Sequence, residues 1–119
     1  MPNQKLLEII PNEYAHSHYE VTLVCDEFTC LCPYTSKPEF ATLTITYTPC
    51  EKLIEMISLK NYLASFSNAK FFQEFAINKI CDDLGKALQP KSLTVKGEFS
   101  ARGGMRLIPI SYWNAGCTS

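Results

Sequence analysis

Two stretches of the chain alternate apolar and polar side chains with a period of two. From His18 to Cys25, the apolar Val21, Leu23 and Cys25 are separated by Thr22 and its neighbours. From Glu39 to Tyr47, Ala41, Leu43, Ile45 and Tyr47 are separated by three threonines. Both patterns predict strands with one dry and one wet face. The intervening EFTCLCPYTSKPE carries two prolines, a serine and two threonines, which predicts an irregular loop longer than a hairpin needs. Loops of that kind often carry function.

After Pro49 the period lengthens. Leu53, Ile54, Ile57, Leu63 and Phe66 approximate one helical face, and Phe72, Phe75, Ala76, Ile80, Leu84 and Leu88 form a clearer one that Pro90 stops. Ser67 and Asn68 supply capping and turn residues between the two helices. Alternation returns at Leu93, Val95, Gly97 and Phe99. SARGGM then predicts a glycine-rich turn, and Met105 to Tyr112 a last strand with Pro109 at an edge or bulge.

The predicted order is ββααββ. Strands paired on either side of two helices cannot form repeated βαβ crossovers, so the expected class is α+β: an antiparallel four-stranded sheet with both helices on one face. The 119 residues suit one domain, taken as 1–119. Such a layer leaves two open sheet edges, which predicts a homo-oligomer.

Composition narrows the function classes. Apolar residues are 46% and charged residues 19% of the chain, a globular balance without a run approaching the ~20 apolar residues of a membrane span. With 11 Lys plus Arg against 12 Asp plus Glu, the net charge of −1 lacks the cation excess that broad nucleic-acid binding uses. The opening MPNQKLLEIIPNEY is broken by Glu8 and Pro11 and has no signal-type apolar region, so a cytoplasmic setting is expected. In that setting Cys25, Cys30, Cys32, Cys50, Cys81 and Cys117 are expected as free thiols. The C-x4-C-x-C spacing of the first three matches no usual zinc finger or ribbon, and no metal is expected.

Several residues invite chemistry. Cys32, between Leu31 and Pro33 in the long segment, is a candidate nucleophile if a neighbouring charge or donor favours its thiolate; the bland alternative is a small buried apolar side chain. Glu39 opens the next strand, from which its carboxyl can return toward Cys32 as proton donor or acceptor. Glu74, in FFQEFAIN at the start of the second helix, lies among apolar residues, where a carboxylate can take two N–H bonds from a purine-like edge. Lys60 and Arg102 are candidate phosphate ligands, with Gly103 and Gly104 allowing the backbone to approach an anion. His16 and His18 have no Ser or Cys motif attached, so no histidine triad can be argued.

FTCLCPYTSKPEFATLTITYTP, IEMISLKNYLASFSN, FFQEFAINKICDDL and VKGEFSARGG, in that order, resemble the single-domain 7-cyano-7-deazaguanine reductases, the QueF family of queuosine biosynthesis. The most specific parts are Leu31-Cys32-Pro33 with Pro38-Glu39-Phe40-Ala41, and Glu55…Ser58-Leu59-Lys60…Tyr62. The resemblance implies a tunnelling fold assembled into pentameric rings, or stacked decamers, with active sites between neighbouring subunits. It also implies that Cys32 attacks the nitrile of the deazapurine to form a thioimide, which NADPH reduces in two hydride transfers while Glu39 supplies the proton. Glu74 then falls on the base-recognising position, with Gln73 beside it. Ile54, Glu55 and Met56 fall on the strip lining the substrate pocket. Lys60, Arg102 and Gly103 fall on the cofactor-phosphate positions.

The departures are specific. Glu39 replaces the family's usual Asp, Gln73 its usual His, and Ile57 an expected Lys; Met56 and Asn61 also differ. The loss at Ile57 keeps a sister activity in view, in which QueF-like proteins use the same thioimide with ammonia and form an amidine on transfer RNA. The changes at Glu39 and Gln73 keep a catalytically idle purine-binding protein in view. The zinc-dependent GTP cyclohydrolases, another tunnelling-fold family, have a weaker claim because their His/Cys metal set is not visible. A disulfide from Cys30 or Cys81 to Cys32 under oxidation is left open.

Overall fold

The computed structural model describes residues 2–114, so Cys117 lies outside the described residues. In chain order the elements are β1 (Ile9–Pro11), β2 (Val21–Leu31), β3 (Pro38–Thr48), β4 (Lys52–Ile54), α1 (Met56–Ala64), α2 (Gln73–Leu88), β5 (Ser92–Phe99) and β6 (Ile110–Tyr112). Short 3-10 turns cover Gln4–Leu6 and Ser65–Asn68.

The main sheet has four strands in the order β2-β3-β5-β6, all pairs antiparallel. Its dry face carries Leu43, Ile45 and Tyr47 of β3, Leu93, Val95 and Phe99 of β5, and Phe28 and Cys30 of β2. Against that face pack Leu59, Tyr62 and Leu63 of α1, Phe66, and Ala76, Ile77, Ile80, Leu84 and Leu88 of α2. The opposite face is a half-exposed layer that includes Thr42, Thr44, Thr46, Thr94, Lys96 and Glu98. The α+β sheet with both helices on one face is therefore the observed architecture.

The boundaries differ from the sequence expectation in four places, each for an identifiable reason. The expected loop over 27–39 is mostly strand, because β2 runs on to Leu31 and β3 starts at Pro38. A bulge between Cys25 and Phe28 hides this continuation: the register passes from Cys25↔Leu43 to Phe28↔Ala41. Two steps on β3 are matched by three on β2, which moves the inward residues of β2 from odd to even numbers. The first strand starts at Val21 rather than His18.

Leu53 and Ile54 belong to β4, paired with Ile10 and Ile9 of β1, and not to the first helix. Glu55 ends that pairing by capping α1: its carboxylate accepts from Ile57 N at 2.8 Å and Ser58 N at 2.7 Å. These bonds hold its pKa below the usual carboxylate value. Finally, Met105 to Pro109 is not classified as strand, although Leu107 O and Pro109 O accept from Phe99 N and Gly97 N of β5; β6 begins at Ile110.

Beyond this apolar core, a few polar and small groups tie the helices to each other and let them close on the sheet. Tyr62 Oη donates to Asp83 at 2.6 Å across the interior, and Asp83 also meets Lys79 Nζ at 3.1 Å. Gly97 lets Ile77 approach the sheet, since a Cβ there would lie 2.6 Å from Ile77 Cδ1. Gln89 closes α2 in the left-handed region at φ 47, just before Pro90.

Candidate active site

The end of β2 is fastened to the approach to α2. Leu31 N donates to Ala69 O at 2.9 Å, and Phe71 N donates to Leu31 O at 3.0 Å. Beyond Leu31 the chain folds sharply. Cys32 N donates to Lys37 O and Ser36 N to Cys32 O, both at 2.9 Å, with Ser36 at φ 61.

Within this turn the Cys32 sulfur is a local acceptor. Pro33 has no N–H, so the next available donors are those of Tyr34 and Thr35. The Thr35 hydroxyl, then the main-chain N–H groups of Thr35 and Tyr34, bond to the sulfur and hold the thiol pKa below its ordinary value, against partial burial and the charge of Glu39. Cys30, two residues earlier, has the opposite environment. It is fully buried, and burial, then the charges of Glu39 and Cys32, push its pKa up to about 11. The two sulfurs of the pair thus have opposite environments, one favouring the thiolate and the other the thiol.

Glu39 sits opposite Cys30 in the β2–β3 register, with only 12% of its side chain exposed. Arg102 Nη2 approaches its Oε2 to 3.6 Å and donates to Pro38 O at 3.4 Å. Arg102 is presented by a two-residue turn. Arg102 and Met105 exchange backbone bonds of 2.7 and 3.0 Å around Gly103 at φ 59 and Gly104 at φ 82, a conformation natural to glycine.

From the third direction comes the start of α2. Gln73 and Glu74 are its first two residues, and the N-cap Phe72 offers no side-chain acceptor. Phe72 instead stacks edge-on against Tyr34 of the Cys32 turn, with ring centroids 5.7 Å apart. Cys32, Glu39, Gln73, Glu74 and Arg102 thereby line one cleft of about 340 Å³.

The remaining candidates lie elsewhere in the chain. Ile54 is buried, with its N–H on Tyr47 Oη at 3.1 Å, and Glu55 is the α1 cap. Met56 and Lys60 line a separate groove of about 590 Å³ between α1 and β2, with Val24 and Cys25. Gly103 forms the turn but does not line the Cys32 cleft. The cleft also contains residues that sequence reasoning missed: Tyr34, Phe72, Met105, Arg106 and Leu107. Thr35 was missed as well. Its signal was the offset of two to three residues after Cys32, the spacing at which a side-chain acceptor meets turn N–H groups.

The family model described as QueF-like protein matches residues 38–115. The chain belongs to the QueF-like family. It is 44% identical over 110 residues to the NADPH-dependent 7-cyano-7-deazaguanine reductase of Anaeromyxobacter sp. (strain K), covering 91% of this chain and 90% of that protein. The reductase of the same description from Caldicellulosiruptor bescii is 48% identical over 101 residues, covering 85% of this chain and 77% of the relative. That from Chlorobaculum parvum is 43% identical over 111 residues, covering 92% and 96%.

Among solved structures, the apo archaeosine synthase QueF-Like superposes with a TM-score of 0.74 at 16% identity, over 81% of this chain and 94% of that one. At that identity the likeness establishes the shared fold, the tunnelling fold, and nothing about activity. Among the described residues, no helix is long and apolar enough to cross a membrane.

Proposed function

We propose that this chain reduces the nitrile of 7-cyano-7-deazaguanine to an aminomethyl group, with NADPH as reductant, through a thioimide on Cys32. The observation that carries this reading is that Cys32, a thiol whose pKa lies below its ordinary value, shares one cleft with Glu39 and Glu74. Relatives with 41–48% identity, matched over 77–95% of their own length and with the same reductase description, support it.

The chemistry divides among the chain's own groups. The Cys32 thiolate adds to the nitrile carbon, the C–N π pair moves to nitrogen, and Glu39 is positioned to deliver the proton that nitrogen takes up. Glu74, at the mouth of α2, accepts two N–H bonds from the deazapurine edge and so orients the nitrile toward sulfur, with Gln73 as a neutral hydrogen-bonding neighbour. Glu39 reaches one methylene farther than the usual Asp, and its contact with Arg102 gives that reach a fixed direction.

When bound, NADPH would supply two hydrides: the first, at the thioimide carbon, lets the C–S bond break and returns the Cys32 thiolate with an imine, and the second, with a further proton taken up by nitrogen, gives the amine. The residues present fit such an anion: segment 100–107 contributes two arginines and no carboxylate-bearing residue to the cleft lining, around a turn whose glycines allow close approach. Arg102 and Gly103 are the proposed holders on this side.

Ile54, Glu55, Met56 and Lys60 do not line the Cys32 cleft of their own chain, so their expected roles in substrate and cofactor binding require the cleft of a second copy. We propose a homo-oligomer, in pentameric rings or stacked pairs of them. The eleven-residue edge strand β2, whose outer side is paired only at Leu31 among the described residues, supports this, as do the exposed Val24 and Met56 in the groove between it and α1. The setting proposed is the cytoplasm.

The test follows NADPH absorbance with free 7-cyano-7-deazaguanine, with Cys32→Ala as control. Nitrile-dependent NADPH loss that the substitution abolishes is the expected result. Ammonia-dependent amidine formation on transfer RNA without NADPH loss would select the sister activity. No adduct on Cys32 by mass spectrometry would leave a binding protein only.

A further inference from the structure

The cleft is electrically two-sided. Cys32, Glu39 and Glu74 come from the β2–β3 turn and the start of α2, and Arg102 and Arg106 from the chain after β5. The two guanidiniums are engaged differently. Arg102 is occupied by Glu39 at 3.6 Å and by the Pro38 carbonyl at 3.4 Å. Among the described residues, Arg106 forms an ion pair with Glu98 alone, at 4.0 Å, and keeps 56% of its side chain exposed. An ion pair at that distance and exposure holds its partner weakly. Of the two cations, Arg106 is therefore the one with its fork available to an incoming anion.

We propose that Arg106 is a phosphate ligand of the bound dinucleotide, supplying on the 100–107 wall a cation that Ile57 does not supply on α1. Ile57 is 66% exposed at the first turn of α1 and offers no charge there. A guanidinium binds a phosphate through two parallel N–H bonds, and Arg106 can exchange Glu98 for such a partner without uncovering a buried group. Arg106 then adds a second guanidinium to the wall on which Arg102 stands, and its release from Glu98 costs no contact with Glu39.

This assignment rests on the reductase reading, and its test separates the two. NADPH affinity is measured directly by calorimetry on the intact protein, alongside Cys32 adduct formation with 7-cyano-7-deazaguanine in the absence of NADPH. Arg106→Ala is expected to weaken NADPH roughly tenfold, with Arg106→Lys in between, while adduct formation and thermal stability stay unchanged. Glu98→Gln frees the guanidinium and is expected to keep or tighten NADPH binding; a merely structural Arg106–Glu98 pair would make it lose affinity as Arg106→Ala does. The affinity of the parent protein should fall with salt more steeply than that of Arg106→Ala. Parent-like NADPH affinity in Arg106→Ala overturns this assignment and leaves the reductase intact. A parent protein that forms the adduct but neither binds nor consumes NADPH overturns both.

Discussion

Arg102 Nη2 stands 3.6 Å from Glu39 Oε2, joining the turn after β5 to the first residues of β3 at the mouth of the Cys32 cleft. The contact uses the longer carboxylate of Glu39, which is otherwise largely covered. Glu39→Gln keeps the shape and removes the transferable proton, so steady-state turnover of the nitrile is expected to fall on the order of 100-fold. Glu39→Asp, which keeps an ionisable carboxyl on a shorter arm, should retain most of it. Equal loss in both variants would mean that reach toward Arg102, and not proton delivery, is what the position contributes.

The Cys32 thiolate is sustained by donors of its own turn, so its reactivity should follow pH accordingly. Because those contacts lower the thiol pKa, alkylation of Cys32 by iodoacetamide, mapped by peptide mass, should rise with pH and reach half-maximum at a lower pH than an unperturbed thiol in a model peptide. Thr35→Val deletes the largest of the lowering contacts and should move the midpoint upward, slowing alkylation near neutral pH several-fold. Cys30, raised to about 11, should stay unmodified throughout.

Glu74→Gln replaces a twofold acceptor by a group with one acceptor and one donor end. Its KM for the deazapurine should rise roughly 10- to 100-fold, with a smaller effect on kcat, in initial-rate measurements at saturating NADPH. A fall in kcat at unchanged KM would move Glu74 from recognition to chemistry.

Two interior substitutions test the frame that holds the cleft. Tyr62→Phe removes the 2.6 Å bond to Asp83 and leaves that buried carboxylate to Lys79 alone, a loss of about 1–3 kcal/mol in chemical denaturation. Gly85→Ala places a Cβ within the Trp113 ring and should cost about 1–3 kcal/mol as the indole shifts, with a change in tryptophan fluorescence. Neither should alter the pH dependence of Cys32 alkylation.

Glu55 offers a pH test of the α1 cap. Its folded pKa is lowered by the N–H groups of Ile57 and Ser58, so the cap contributes stability above the unfolded carboxyl value of about 4.3 and loses it as pH falls through the lower folded value. Glu55→Ala should lower Tm by a few degrees at pH 7 and by progressively less toward pH 3, measured by circular dichroism.

The local periods of the chain were enough to specify two strands, two helices and a returning strand, and hence the α+β layer, because alternation and helical spacing are properties of near neighbours. They also marked Cys32, Glu39, Glu74 and Arg102 as chemically able side chains. Sequence did not reveal that β2 runs through to Leu31. The bulge at Cys25 to Phe28 inverts the alternation midway, and only pairing with β3 makes the two halves one strand. Nor did it reveal that Leu53 and Ile54 pair with the N-terminal segment, since short strands take their identity from a distant partner.

The meeting of Cys32, Glu39, Glu74 and Arg102 in one cleft was decided by the β2–β3–β5 register and by Leu31's bonds to Ala69 and Phe71, which bring the start of α2 beside the cysteine turn. Residue type and spacing determine which groups can react. Long-range backbone pairing determines which of them share a volume, and here it joined these four with Gln73 and placed Ile54, Glu55, Met56 and Lys60 elsewhere.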